Sequence, residues 1–87
     1  MSVTEIKIIA DKLDLKFKPD HLYNIYDDSE IIKNHLINLG FKFKASISKD
    51  KKYLCALWKG REKYFYSSYR KGNCIIQIAN QYINNKE

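Results

Sequence analysis

Few side chains in this 87-residue chain are equipped to do chemistry: two histidines, His21 and His35, two cysteines, Cys55 and Cys74, and the acid pair Asp27-Asp28. Nucleophilic catalysis needs a positioned Ser or Cys, a base and a group that orients the base. His21 falls in a loop, His35 beside the apolar stripe of a helix, and neither cysteine sits in a recognisable nucleophile turn. The two aspartates are explained by helix capping before any acid–base role is needed. The expectation is a protein that is not an enzyme. The cysteines lie nineteen positions apart with no C-x-x-C pair, so neither a zinc site nor a disulfide framework is signalled, and two buried thiols in a reducing cytoplasm are expected. The three glycines, Gly40, Gly60 and Gly72, fall at element ends and form no phosphate loop. No cofactor or metal is expected.

Binding chemistry is better represented. The net charge is +6, and it is unevenly placed. Residues 1–40 hold five Lys against seven acids, a balance of −2, whereas residues 41–87 hold eleven Lys or Arg against three acids, a balance of +8. Such asymmetry marks a surface for nucleic acid or for an acidic protein. Part of it is compositional: Lys, Ile, Asn and Tyr, whose codons are rich in A and T, supply 40 of the 87 residues, and Arg occurs only at Arg61 and Arg70.

The basic residues recur at particular places. Lys42 and Lys44 project from one side of a strand; Lys49, Lys51 and Lys52 crowd one hairpin; Lys59, Arg61 and Lys63 crowd the next. Arg70 and Lys71 precede the last helix, and Tyr53, Tyr64, Tyr66 and Tyr69 lie among the lysines. Sheet aromatics framed by Lys can stack bases while the amines hold phosphates. The plainer reading, in which the tyrosines pack the helices and the lysines solvate turns, is preferred because no RNP-like string accompanies them.

These residues must be positioned by six elements. Ser2-Val3-Thr4-Glu5 fits a capping box, and Ile6, Ile9, Ala10 and Leu13 share one face of a helix over 3–13. Leu15 to Lys18 alternates up to Pro19 and suggests a short extended or edge strand, followed by a loop over 20–26. Asp27-Asp28-Ser29-Glu30 reads as the start of a second helix, 28–39, with Ile32, His35, Leu36 and Leu39 as its stripe and Gly40 as its C-terminal cap. From Phe41 the period changes to two: Phe41, Phe43, Ala45 and Ile47 share one face and Lys42, Lys44, Ser46 and Ser48 the other. Tyr53 to Trp58 is apolar on both faces, as suits a central strand covered on both sides. Lys63 to Tyr69 makes a third strand, and Gly72-Asn73 opens a last helix, with Asn73 as N-cap and Asn84 to Glu87 frayed.

The fold class expected is therefore α+β: a three-stranded antiparallel meander packed with helices, on both faces, in the order α-α-β-β-β-α, as a single domain over 1–87. No stretch approaches the ~18 apolar residues of a membrane span. Met1 to Glu5 lacks the basic and apolar regions of a signal peptide, so a cytoplasmic location is expected.

Two resemblances bear on function. The αβββα part has the element order of double-stranded-RNA-binding domains. That family carries a basic cluster at the start of its last helix, whereas here Arg70-Lys71 stand just before it and Asn73-Cys74-Ile75-Ile76-Gln77 carries no base. In addition, Tyr53-Leu54-Cys55-Ala56-Leu57-Trp58, a short strand, and then Cys74-Ile75-Ile76-Gln77-Ile78-Ala79 resemble the small phage α-β-α sandwich domain over about residues 30–84. It departs from that pattern at Gly72-Asn73, where the family tends to have Pro or Glu. The resemblance implies a phage or prophage accessory protein in a family without established chemistry. The function expected is a small phage or mobile-element protein that binds and inhibits a host macromolecule, such as a component of a bacterial defence system. The partner would be a host protein or nucleoprotein complex, met in the host cytoplasm. The alternative is a nucleic-acid-binding domain that uses its lysine-rich hairpins. Both a monomer and a homodimer fit the sequence.

Overall fold

The computed structural model describes residues 3–86. Its elements are α1 (Val3–Lys12), α2 (Ile25–Asn38), β1 (Lys42–Ile47), β2 (Tyr53–Lys59), β3 (Glu62–Ser68) and α3 (Lys71–Lys86). The α+β class and the α-α-β-β-β-α order follow the sequence expectation. The Ser2 half of the capping box and Glu87 lie outside the described residues. No helix among the described residues is long and apolar enough to cross a membrane.

The helix periods place their apolar faces as the spacing requires. Ile6, Ile9 and Ala10 of α1 are buried, as are Ile32 and Leu36 of α2. Leu39, expected in the same stripe, ends α2 as its C-cap and is partly exposed. Gly40 follows at φ +104°, a left-handed position that favours glycine. On α3, Cys74, Ile75, Ile76, Ile78, Ala79, Tyr82 and Ile83 are all buried.

Several boundaries differ from the sequence reading, each for a local reason. Leu15 to Lys18 is not a strand. It has no neighbour to pair with, and Phe17 instead stacks on His21, ring centroids 4.4 Å apart, with Tyr23 edge-on to both. α2 begins three residues before Asp28, because Asn24 is the N-cap: its Oδ1 accepts from the backbone N–H groups of Tyr26 and Asp27. α3 likewise begins before Asn73, whose side-chain amide donates to Ser68 Oγ from inside the first turn rather than capping the helix. Gly72 is buried at the crossing with α2, where a Cβ would lie 3.1 Å from Ile25 Cγ2 and 3.3 Å from Ile25 O. The C-terminal turn is helical to Lys86, and Asn85 Nδ2 donates to Tyr64 Oη at 3.0 Å.

The sheet is a plain meander, β1-β2-β3, antiparallel throughout. Gly60, at φ +60°, opens the two-residue connection between Lys59 and Glu62, and Lys51, at φ +65°, turns the chain between β1 and β2. Phe41, just before β1, and Cys55, Leu57 and Tyr64 on the strands face the helices and are buried; Phe43 and Tyr53 are partly so. α2 and α3 lie on that face, and α1 packs against α2 and α3. Among the described residues no element forms a second layer on the opposite face. Leu54 and Phe65 there are 46% and 64% exposed, so the expectation of a β2 strand covered on both sides is corrected. Even the helical side is incomplete at the far end of β1, where Ala45 and Ile47 reach past the helices into solvent.

Cys55 and Cys74 are free and buried between β2 and α3. Burial, and then the neighbouring Cys74 thiol, push Cys55 up to about 12 from 9.0, and burial raises Cys74 as well. The folded state thus holds a proton that the unfolded chain releases near pH 9, so this contribution is complete below pH 9 and is lost as the pH rises towards 12. Two outcomes are expected. At pH 8 a thiol reagent will modify neither cysteine except through unfolding, and the melting temperature will fall from about pH 9 upward, less steeply in Cys55→Ala. Rapid labelling of the native protein would contradict this placement.

Candidate functional site

Register and side-chain alternation determine what the open face presents. Nine positions point outward: Lys42, Lys44 and Ser46 from β1, Leu54, Ala56 and Trp58 from β2, and Lys63, Phe65 and Ser67 from β3. Pairing sets them in three rows, Lys42–Trp58–Lys63, Lys44–Ala56–Phe65 and Ser46–Leu54–Ser67. Side chains directly opposite one another have Cβ atoms about 4.5–5.5 Å apart. The Trp58 indole is thus flanked by a lysine on each side, and Phe65 lies diagonally from it on the next strand. The face carries three lysines and no acid.

Three hollows cross this face, and the two rings separate them. The first, about 320 Å³, is bounded by Gly40, Lys42, Trp58, Lys59 and Gly60. The second, about 280 Å³, lies between Trp58 and Phe65, with Ala56 and Lys63 completing it. The third, about 380 Å³, lies beyond Phe65 along the β2–β3 pair, against Leu54, Cys55, Tyr66 and Ser67. Ala56 is what keeps the middle one open, since its methyl group leaves a depression between two large neighbours. Lys59 belongs to the first hollow, but its Nζ already donates to Leu39 O at 2.8 Å and caps the end of α2.

The twelve residues singled out from the sequence do not form one patch. Lys42, Lys59, Arg61 and Lys63 gather at the end of the sheet where β2 turns into β3, and Lys44 stands in the middle of the open face. Lys49, Lys51, Lys52, Arg70 and Lys71 lie at the opposite end, a strand length of roughly 20 Å away. There Lys52 Nζ sits 5.2 Å from the Tyr69 ring centre, and Lys71 Nζ approaches Glu30 of α2 at 3.8 Å. Asp50, held below the ordinary carboxylate range by the Ser48 hydroxyl, offsets part of the charge of that hairpin.

Tyr64 and Tyr66 face the other way, whereas Tyr69, just past β3, is 65% exposed. Tyr64 is buried, and its hydroxyl donates to Glu62 Oε2 at 2.9 Å; burial first, and that carboxylate next, raise it above the usual tyrosine value. Its ring packs with Phe41 and Tyr82. Tyr66 shares its parity and lies at the rim of the helical side, so neither Tyr64 nor Tyr66 stands on the open face. Trp58 and Phe65, which do, were missed as site residues in the sequence. The available signal was their parity: both alternate with residues that pack the core, Leu57 and Tyr64.

Away from this face, His21 and the two cysteines are engaged in structure. The His21 ring reaches the buried Asp28 carboxylate at 2.9 Å and ties the 13–24 segment to α2. Among the described residues no group of three His, Cys, Asp or Glu gathers to hold a metal. Compared with protein-family models, curated proteins and solved structures, the chain matches none.

Proposed function

We propose that this chain is a non-catalytic binding protein and that its working surface is the open face of the sheet, which takes single-stranded nucleic acid, bare or displayed by a host nucleoprotein complex. One observation carries the proposal: an uncovered sheet face bearing Trp58, Phe65 and three lysines, with no acid among its nine outward positions. An exposed apolar face on so small a chain needs a reason, and aromatic rings framed by amines suit bases joined by phosphates. The A/T-biased composition and the resemblance to small phage sandwich domains support the wider reading, a phage or mobile-element accessory protein that blocks a host macromolecule.

Trp58 is the only tryptophan and lies in the middle of the proposed surface, so its fluorescence reports occupancy directly. Titration with a single-stranded homopolymer of about twelve nucleotides should quench it. Contacts from Lys42, Lys44 and Lys63 should give a log–log salt slope of roughly −2, at about 0.7 per phosphate. Reversing these three lysines to Glu should abolish binding while leaving the melting temperature within a few degrees. No quenching by DNA or RNA at low salt would overturn the proposal.

A further inference from the structure

The geometry points to more than a charged platform. We infer that the hollow between Trp58 and Phe65 is a slot for one unpaired base, and that the adjoining hollow at Lys42, Gly40 and Gly60 receives a neighbouring phosphate. This rests on the reading of the open face as a single-strand surface, and it specifies what that surface recognises.

The floor of the slot is the first argument. Among the outward residues of β2, Leu54 and Trp58 are large and Ala56 between them is small. A sheet evolved only to display charge has no use for a depression at its centre. The walls are the second. Trp58 and Phe65 are diagonal neighbours on adjacent strands, which places them about 7–8 Å apart at the backbone. That spacing leaves room for a flat ring between them, and stacking needs only a π-face, which every base has. Phe65 is 64% exposed, so its ring is presented to solvent and not to the core.

Charge supplies the third argument. Lys63 borders the slot, and Lys42 borders the hollow on the other side of Trp58. A strand that places a base beside Trp58 therefore carries its phosphates past an amine on either flank. In that hollow Gly60 has no side chain to hold a phosphate away from the backbone, and nothing lies within 4 Å of a Cβ built on it, whereas the Lys59 side chain lies over Gly40, its Nζ 3.5 Å from where a Cβ would stand. Beyond Phe65 the row in which Leu54 stands between Ser46 and Ser67 is uncharged, and it separates the slot from the cations at the other end of the sheet, such as Lys52 beside Tyr69. The footprint is accordingly short, two or three nucleotides, with its electrostatic anchor at the Gly40–Gly60 end. In a duplex the base faces are stacked on one another and cannot enter the slot, so the site selects single strands.

Ala56→Leu is the discriminating variant. It fills the slot but leaves every charge and both rings in place, and it projects from a face with no covering layer for it to clash with. Trinucleotide binding, followed by Trp58 fluorescence, should weaken by about 5- to 150-fold in Ala56→Leu and in Phe65→Ala, the range expected for one stacked base. Phe65→Tyr should restore it. Lys42→Ala should reduce the salt slope by about 0.7. Circular dichroism melts will establish that each variant folds. Undiminished binding in Ala56→Leu and Phe65→Ala, together with its loss on lysine reversal, would overturn the slot and leave the charged face standing. Equal affinity for duplex and single strand, or quenching by inorganic polyphosphate as strong as by the trinucleotide, would overturn it likewise. If no oligonucleotide binds the unaltered protein at all, the slot and the open-face reading fall together.

Discussion

Replacing Ile76 with Ala will destabilise the fold by about 2–5 kcal/mol, the range for deleting most of a fully buried aliphatic side chain. Ile76 is 0% exposed and lies on α3, the element that touches α1, α2, β2 and β3 alike. Two terms add. The lost methyl and methylene groups forfeit their transfer free energy, and the cavity left behind is lined by atoms that have lost contacts. Collapse into the cavity is restricted, because the α3 backbone is already held close to α2 at Gly72 and pinned to β3 through Asn85 and Tyr64. Against a total of about 5–15 kcal/mol for a small domain, the loss is a large fraction. Urea unfolding should show a lower midpoint with an unchanged slope. Ile37→Ala supplies the control: it lies on α2 at 41% exposure and should shift stability by no more than about 0.5 kcal/mol. Equal effects at the two positions would mean that α3 is not the centre of the core.

The apolar face of α3 could be read from the sequence because Ile75, Ile76, Ile78, Ala79, Tyr82 and Ile83 recur at helical spacing, and burial of one face is what such spacing is for. The strands were equally legible from the change to period two at Phe41. Alternation reports which side chains share a face; it does not report whether a second layer covers that face. Leu54, Ala56 and Trp58 look the same in sequence whether they are buried by helices or offered to a partner, so the apolar run of β2 suggests two covered faces where there is one. The binding candidates shifted for the same reason. Lysines and tyrosines that are neighbours in the chain, such as Lys63 and Tyr64, point to opposite sides of the sheet, and proximity in sequence does not bring them together. The helix starts erred in a different way. Asp27-Asp28 and Asn73 carry capping chemistry, yet Asn24 and residues before Gly72 begin the helices, because propensity at one position is decided by which backbone N–H groups lie within reach.

Asp27 and Asp28 supply the last large effect, since the same residue type on the same helical turn meets opposite surroundings. Both stand in the first turn of α2, where the helix dipole favours a carboxylate by about 0.3–1 kcal/mol. Asp27 is exposed and has that contribution alone. Asp28 is fully buried, and its two oxygens are used separately: Oδ2 accepts the backbone N–H of Asn24 at 2.6 Å, and Oδ1 accepts from His21 Nε2 at 2.9 Å. Asp28→Ala removes both acceptors at once. It leaves the Asn24 amide and the half-buried imidazole without partners, and each such loss costs about 1–3 kcal/mol. The expected destabilisation is about 2–6 kcal/mol, against less than about 1 kcal/mol for Asp27→Ala. Asp28→Asn should fall between them, because its single carbonyl oxygen can satisfy one donor but turns an NH2 group towards the other. The damage will be local before it is global. The segment over 13–24 is held to α2 through His21 and through the Phe17 and Tyr23 rings stacked about it, so in Asp28→Ala the Asn24 amide should exchange with solvent faster than the amides of β2. If Asp28→Ala proves no more destabilising than Asp27→Ala, the buried carboxylate is not the tie between this segment and the helix.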